Sequence, residues 1–288
     1  MNILFPFAKR FIAGEDVPTA LKATSQMHTK GYLTSMDLLG ENVHTASQAE
    51  NAKNDYLELI SHFVDDPHPQ DFSVKLTQMG LEIHRDICEK NLEEILESTG
   101  NNTVRFDIEG SDHTEATMEM CIKLHHRFPN LGQAVQAYLF RTESDVDNLI
   151  KENISIRLCK GAYKEPPSIA HQSMGNIRAN FRKLAFRLLK EGNHPAIATH
   201  DEILLKDILA FIEKENIDVK SFYFEMLYGV RRDLQKLLLQ RGYQVRIYVP
   251  FGKSWLPYTL RRLAEKKENI MFVIKSLIKE TFSPGKIG

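Results

Sequence analysis

Residues 72–108 read FSVKLTQMGLEIHRDICEKNLEEILESTGNNTVRFDI. The two ends, Phe72–Leu76 and Val104–Ile108, are short β-prone runs. Between them, Arg85–Leu96 sets Ile87, Leu92, Ile95 and Leu96 at helical spacing. Strand, helix and strand in that order, too far apart for a hairpin, make a βα unit. The alternation continues on both sides. Tyr32–Leu39, Ala134–Leu139, Ile154–Cys159, Ala196–Thr199, Phe222–Met226 and Val245–Val249 complete eight β-prone runs. Thr45–Val64, Thr114–Arg127, Ile177–Lys190, Ile203–Glu215, Arg232–Gln240 and Trp255–Lys267 read as helices, with Asp112 as an N-cap and Gly192 as a stop. Ile270–Ile278 reads as a closing helix. Eight such units predict an α/β fold, one (βα)8 TIM-type barrel spanning residues 1–288. A doubly wound open sheet is the competing reading. Within the N-terminal segment 1–30, Pro18–Lys30 reads as an extra helix ahead of the first strand, placed to plug the bottom of the barrel.

Composition narrows the class. The chain has 288 residues, 42% hydrophobic and 26% charged, which excludes a wholly disordered or collagen-like protein. No apolar run approaches the roughly 18 residues of a membrane helix. Met1–Phe7 is apolar but lacks the basic flank of a signal peptide, so an unsecreted, cytoplasmic protein is expected. Lys and Arg number 37 against 38 Asp and Glu, and this balance does not fit a nucleic-acid binder. Cys88, Cys121 and Cys159 form no CxxC, and no disulfide framework is expected. His125 and His126 are adjacent on a helix and point to different sides, so no metal site is expected there.

In a barrel, chemistry sits at the C-terminal ends of the strands. The ends of these runs carry Asp37 and Glu41, Lys75, Asp107, Gln136, Arg157 and Lys160, Thr199 and His200, Glu225, and Tyr248. Charges inside apolar strands are costly unless paired or used. Lys75 and Asp107 are the clearest cases. Two readings stand: an ion pair between neighbouring strands, or a site. Arg157-Leu158-Cys159-Lys160-Gly161-Ala162-Tyr163 ends a strand with two cations followed by small residues, a pattern that suits a phosphate. Its alternative is a glycine turn between solvated cations. Downstream, Tyr258, Arg261, Arg262 and Glu265 stand at i, i+3, i+4 and i+7 of one helix face. Adjacent arginines beside aromatic rings suit a carboxylate.

At these residues the sequence resembles the proline dehydrogenase family in its bacterial single-function form. It is similar also to the dehydrogenase domain of bifunctional proline utilization flavoproteins. The resemblance runs from Phe11 to Asn269. It is strongest in Asp37–Glu41, Val74–Gln78, Arg157–Tyr163, Ala198–Asp201, Met226–Gly229 and Tyr248–Glu265. It implies a (βα)8 barrel and an FAD enzyme that oxidises L-proline to Δ1-pyrroline-5-carboxylate. The hydride goes to the flavin and the electrons then pass to a quinone. Any contact with the inner face of the membrane would be peripheral and reversible.

By position, the resemblance gives Lys75, Arg261 and Arg262 the substrate carboxylate, with Asp107 orienting that cluster. Leu227, Tyr248 and Tyr258 would wall the proline ring. Glu41 and Glu265 would gate and support the arginines. Gln136, Arg157, Lys160, Gly161, Ala162, Tyr163, Thr199, His200, Glu225 and Arg262 would line the FAD, with Lys75, Asp107 and Arg157 closest to the chemistry. The chain departs from the family pattern at Glu225, where Gln is common, and at Leu256, where an aromatic is common.

Two other classes compete. A Schiff-base aldolase would use Lys75 as nucleophile with Asp107 as partner. A non-catalytic metabolite-binding barrel would hold no flavin.

Overall fold

The computed structural model describes residues 8–66 and 68–264, with side chains through residue 260. Met1–Phe7, the side chains of Arg261 and Arg262, all of Glu265, and the closing helix expected over Ile270–Ile278 lie outside the described residues. The strands are β1 (Leu33–Leu38), β2 (Asp71–Val74), β3 (Thr103–Phe106), β4 (Leu131–Gln136), β5 (Ile156–Cys159), β6 (Ala196–Ala198), β7 (Tyr223–Leu227) and β8 (Val245–Phe251). All pair in parallel, in sequence order, and β1 closes on β8. The closing seam runs from Leu33 opposite Arg246 to Leu38 opposite Phe251. This is the (βα)8 barrel that the alternation predicts.

The helices described are α1 (Val17–Thr29), α2 (Ala46–Ser61), α3 (Arg85–Ser98), α4 (Ser111–His125), α5 (Thr142–Lys151), α6 (Met174–Glu191), α7 (Glu202–Glu215), α8 (Arg232–Gln240) and α9 (Trp255–Ala264). Local chemistry sets most of their ends. Asp16 caps α1 with a proline in the first turn, and Thr45 with Gln48 forms a capping box on α2. Asp112 is not the N-cap of α4. That helix starts at Ser111, and its first donors go to Glu165, from the loop after β5. Ser111 N–H donates to Oε1 at 2.8 Å and its hydroxyl to Oε2 at 2.7 Å. Helix α5 has no counterpart among the periodic segments of the sequence, since its apolar residues are few and crowded into Val146, Leu149 and Ile150.

Strand alternation separates two environments. Met36, Phe72, Val74, Val104, Phe106, Ile156, Leu158, Phe224, Ile247 and Val249 are fully buried against the helices and form the apolar core. The opposite parity fills the barrel with polar groups.

Helix α1 does not plug the bottom. Val17 and Pro18 at its start line the cavity at the strands' C-terminal ends, while His28 at its finish bonds Thr34 near the strand starts. In between, Thr24 donates to the outward-facing Met36. The helix therefore lies along the outside of β8 and β1 and completes the outer ring. The residues ahead of it cross the mouth. Ala13 N–H donates to Pro250 O at 2.8 Å, Gly252 N–H to Gly14 O at 3.0 Å, and Trp255 Nε1 to Glu15 Oε1 at 2.7 Å.

Candidate active site

A cavity of about 1290 Å³ opens at the C-terminal ends of the strands. Ligand pockets generally run to about 300–1,000 Å³, so this one has room for a large ligand. Of the residues that the sequence singles out, Glu41, Lys75, Asp107, Gln136, Arg157, Lys160, Gly161, Ala162, Tyr163, Thr199, His200, Glu225, Leu227, Tyr248 and Tyr258 all line it.

The floor is an ionic lattice. Lys75 and Asp107 point into the barrel from adjacent strands, each with residues of opposite parity packed in the core. Lys75 Nζ lies 2.7 Å from Asp37 Oδ1 and 3.3 Å from Asp107 Oδ2. Asp107 also accepts from Arg157 Nη1 at 2.6 Å and from the Tyr248 hydroxyl at 2.7 Å. Arg157 Nη2 reaches Ser35 Oγ at 2.8 Å and Asp71 Oδ2 at 3.0 Å. Its Nε stands 2.8 Å from Glu225 Oε1, close enough for an ion pair but off the line of a hydrogen bond. Ala134 and Ala196 sit in register beside Arg157, and their small side chains leave room for the guanidinium. Below, Asp71 also meets Arg105 and Arg246, each at 3.4 Å.

Four cations (Lys75, Arg105, Arg157, Arg246) thus face four carboxylates (Asp37, Asp71, Asp107, Glu225), all buried. Burial works against charge on Lys75, but Asp37 and Asp107 outweigh it and raise its basicity well above the usual range. Burial likewise opposes charge on Arg157, and Glu225, Asp107 and Asp71 overcome it. Burial would raise Asp71, yet Arg105, Arg246 and Arg157 hold it below the usual carboxylate range. The Tyr248 phenol is pushed well up by burial and by Asp107 and Asp37, so it stays a donor. Lys75 and Asp107 are therefore both a pair between neighbouring strands and cavity-lining groups.

The β5–β6 side of the mouth is built differently. Lys160 Nζ lies 3.1 Å from Asp201 Oδ2, which Arg178 Nε also meets at 2.8 Å. Asp201 caps α7 through Ile203 N–H, and Thr199 Oγ1 accepts Asp201 N–H, so the cap expected there is present. Ala162 N–H donates to Gln136 Oε1 at 3.2 Å, and Gln136 Nε2 donates to Glu109 O at 2.9 Å. Gly161 has φ +122°, and a Cβ there would stand 2.2 Å from the Tyr138 ring. The glycine is thus required by its neighbour as well as by its turn. His200 Nε2 accepts Leu227 N–H at 2.9 Å, which places the imidazole proton on Nδ1. Tyr258 packs with Ala8, Ile12, Leu39 and Trp255 at the lip, with Leu256 against them.

Asp71, Ser35, Arg105 and Arg246 were missed in the sequence. Parity would have found them: Asp71 shares the inward face with Lys75, Ser35 with Asp37, Arg105 with Asp107, and Arg246 with Tyr248. His125 and His126 part company as expected. His125 Nδ1 bonds Leu131 O at 2.8 Å, and His126 Nε2 pairs with Glu152 at 2.9 Å.

The sequence model of the family described as Proline dehydrogenase matches residues 20–275. The chain is 32% identical over 275 residues to Proline dehydrogenase 1 of Bacillus subtilis subsp. natto, covering 95% of this chain and 91% of that one. It is 33% identical over 283 residues to Proline dehydrogenase of Deinococcus radiodurans, covering 96% and 91%. Among solved structures, proline utilization A of Bdellovibrio bacteriovorus, inactivated by N-propargylglycine, superposes with a TM-score of 0.84 at 25% identity. That match covers 97% of this chain and 34% of the other, so this chain spans about a third of that protein's length.

Proposed function

The chain belongs to the proline dehydrogenase family and is an oxidoreductase acting on proline, and on that premise we propose an FAD-dependent oxidation of L-proline to Δ1-pyrroline-5-carboxylate in the cavity at the barrel mouth. The observation that carries this reading is the buried lattice of Lys75, Asp107, Arg157 and Tyr248 on the cavity floor. It presents cations of fixed position in a site shielded from water.

The residues fit a flavin dinucleotide. The cavity is large enough. The half-exposed cations Lys160 and Arg178 suit a diphosphate, and Ala134, Ala198 and Cys159 offer small surfaces beside Arg157 for a flat ring. Gln136, Arg157, Lys160, Gly161, Ala162, Tyr163, Thr199, His200, Glu225 and Arg262 would hold it. When bound, FAD supplies the two-electron acceptor for the proline ring.

The roles of this chain's own residues in that reading rest on the lattice and, for Arg261, Arg262 and Glu265, on the family resemblance. Lys75, fixed between Asp37 and Asp107, offers its charge to the substrate carboxylate, with Arg261 and Arg262 from α9 completing the clamp and Glu41 and Glu265 supporting them. Asp107 locks Lys75, Arg157 and Tyr248 into one rigid unit, so that orientation is set before the substrate arrives. Leu227, Tyr248 and Tyr258 close on the apolar ring. Arg157 fixes positive charge where electron density increases. Among the described residues no helix is long and apolar enough to cross a membrane. A quinone acceptor would then be met at the surface.

The raised basicity of Lys75 counts against the Schiff-base reading, since a nucleophilic lysine has to lose its proton easily. The decisive experiment is the visible spectrum of the purified protein. We expect flavin bands that bleach on adding L-proline. A colourless protein that does not take up FAD defeats the proposal. Arg261→Ala and Arg262→Ala should each raise KM for proline at least tenfold with the flavin still bound. Normal saturation in both removes the clamp.

A further inference from the structure

At the other end of the barrel a second group of ligands converges. His28 ends α1, and Asp66 and His68 lie in the segment between α2 and β2. One ligand atom of each lies within 4.8 Å of the others. Around a tetrahedral zinc with bonds near 2.0–2.1 Å, neighbouring donors stand about 3.4 Å apart. His68 Nδ1 is already 3.1 Å from Asp66 Oδ1, and the rings of His28 and His68 stack at 4.8 Å. Closing the site takes a rotation of the His68 side chain out of the stack with His28. His68 makes it without disturbing the core, because it is exposed.

The surroundings are those of a metal ligand. The Thr34 hydroxyl donates to Gln70 Oε1 at 2.6 Å, and His28 Nε2 stands 3.0 Å from Thr34 Oγ1 and 3.2 Å from Gln70 Nε2. A metal on Nδ1 would put the ring proton on Nε2, where Thr34 Oγ1 can accept it. A metal-bound histidine is usually held this way through its other nitrogen. Gln70 Nε2 donates in turn to His68 O at 2.9 Å, which ties the two ligand-bearing segments together. His62 lines the same hollow, of about 550 Å³.

We propose that His28, Asp66 and His68 bind one zinc ion at the base of the barrel, with water or His62 in the fourth position. Two imidazoles with one carboxylate favour such a borderline cation over magnesium or calcium, which take oxygen ligands. The site lies away from the cavity, so its role is to clip the end of α1 to the entry of β2. No motif marks it, since the ligands come from segments about forty residues apart with no recognisable ligand spacing.

The test uses the full chain, stripped with a chelator and titrated with zinc against a chromophoric competitor. We expect one zinc per chain, a rise in the thermal midpoint on binding, and no competition from magnesium. His68→Ala and His28→Ala should each weaken binding at least a hundredfold. Thr34→Val should weaken it about tenfold by removing that acceptor. Because His68 is exposed, its variant stays folded and the result stands. Equal zinc affinity in the wild type and His68→Ala, or no stoichiometric binding by the wild type, overturns the proposal.

Discussion

Asp107 accepts from Lys75, Arg157 and Tyr248 at once, so a small change at one of these donors is felt by the others. Tyr248→Phe removes one donor and no volume. We expect KM for proline to rise about tenfold, the worth of one hydrogen bond to a charged group, with kcat changed less. Steady-state kinetics check this. Asp71 lies deeper and faces three guanidiniums. Asp71→Asn should cost about 3–5 kcal/mol of unfolding free energy, because it strands buried positive charge. Since the folded state holds Asp71 below the usual carboxylate range, its contribution is complete above the unfolded carboxylate value of about 3.9, shrinks below it, and is lost as pH falls through the lowered folded value. Urea unfolding between pH 7 and pH 3 should therefore show the wild type's lead over Asp71→Asn narrowing at the acid end. Lys75 and Asp107 were legible because a charge within an apolar strand has few explanations. Asp71 and Arg246 were not, because each stands at or near a strand's start, where a polar residue reads as a boundary, and Arg105 was not, because it lies a full pleat below the strand end where chemistry is sought.

Elements were legible wherever the pattern was local. All eight strands fall where the β-prone runs are, and α8 begins and ends at Arg232 and Gln240 as the periodicity indicates. Strand β4 starts three residues earlier than its run, at Leu131, because Gly132 and Gln133 carry little strand signal of their own. What local pattern misses is an element end fixed by something remote, as Glu165 fixes the start of α4. The turns after strands show the same. Gly229 has φ +71°, and a Cβ there would stand 1.7 Å from the carbonyl oxygen of Arg10. Gly229→Ala should cost about 2 kcal/mol or more and loosen the N-terminal crossing, read as a lower thermal midpoint with faster proteolysis near Arg10. In Gly161→Ala the nearest clash is with the Tyr138 ring, so adding Tyr138→Ala should recover most of the steric part of the loss and leave the backbone part. A double-mutant cycle separates the two.

For the whole molecule, the count and order of units were enough to favour a closed barrel over an open sheet. The placement of α1 was not legible, because its neighbours are at the far end of the chain. Nor was the barrel's interior, which in many barrels is filled by branched apolar side chains and here holds a balanced set of charges. Helix α1 is docked through Ala20 and Ala23. Ala20→Glu puts an unpaired charge into that contact and should cost at least about 3 kcal/mol, with hydrogen exchange rising first in α1 and along the β1–β8 seam. The seam has a further consequence for how the protein is made. Helix α1 leaves the ribosome ahead of every strand, yet β8, on which it rests, is synthesised after nearly all the rest. Through most of translation its apolar face has only β1 to rest on, and the first strand has only one of its two edges paired. The nascent chain must be sheltered or kept soluble over that interval, and a circular permutant that begins at β8 would synthesise α1 and its seat together.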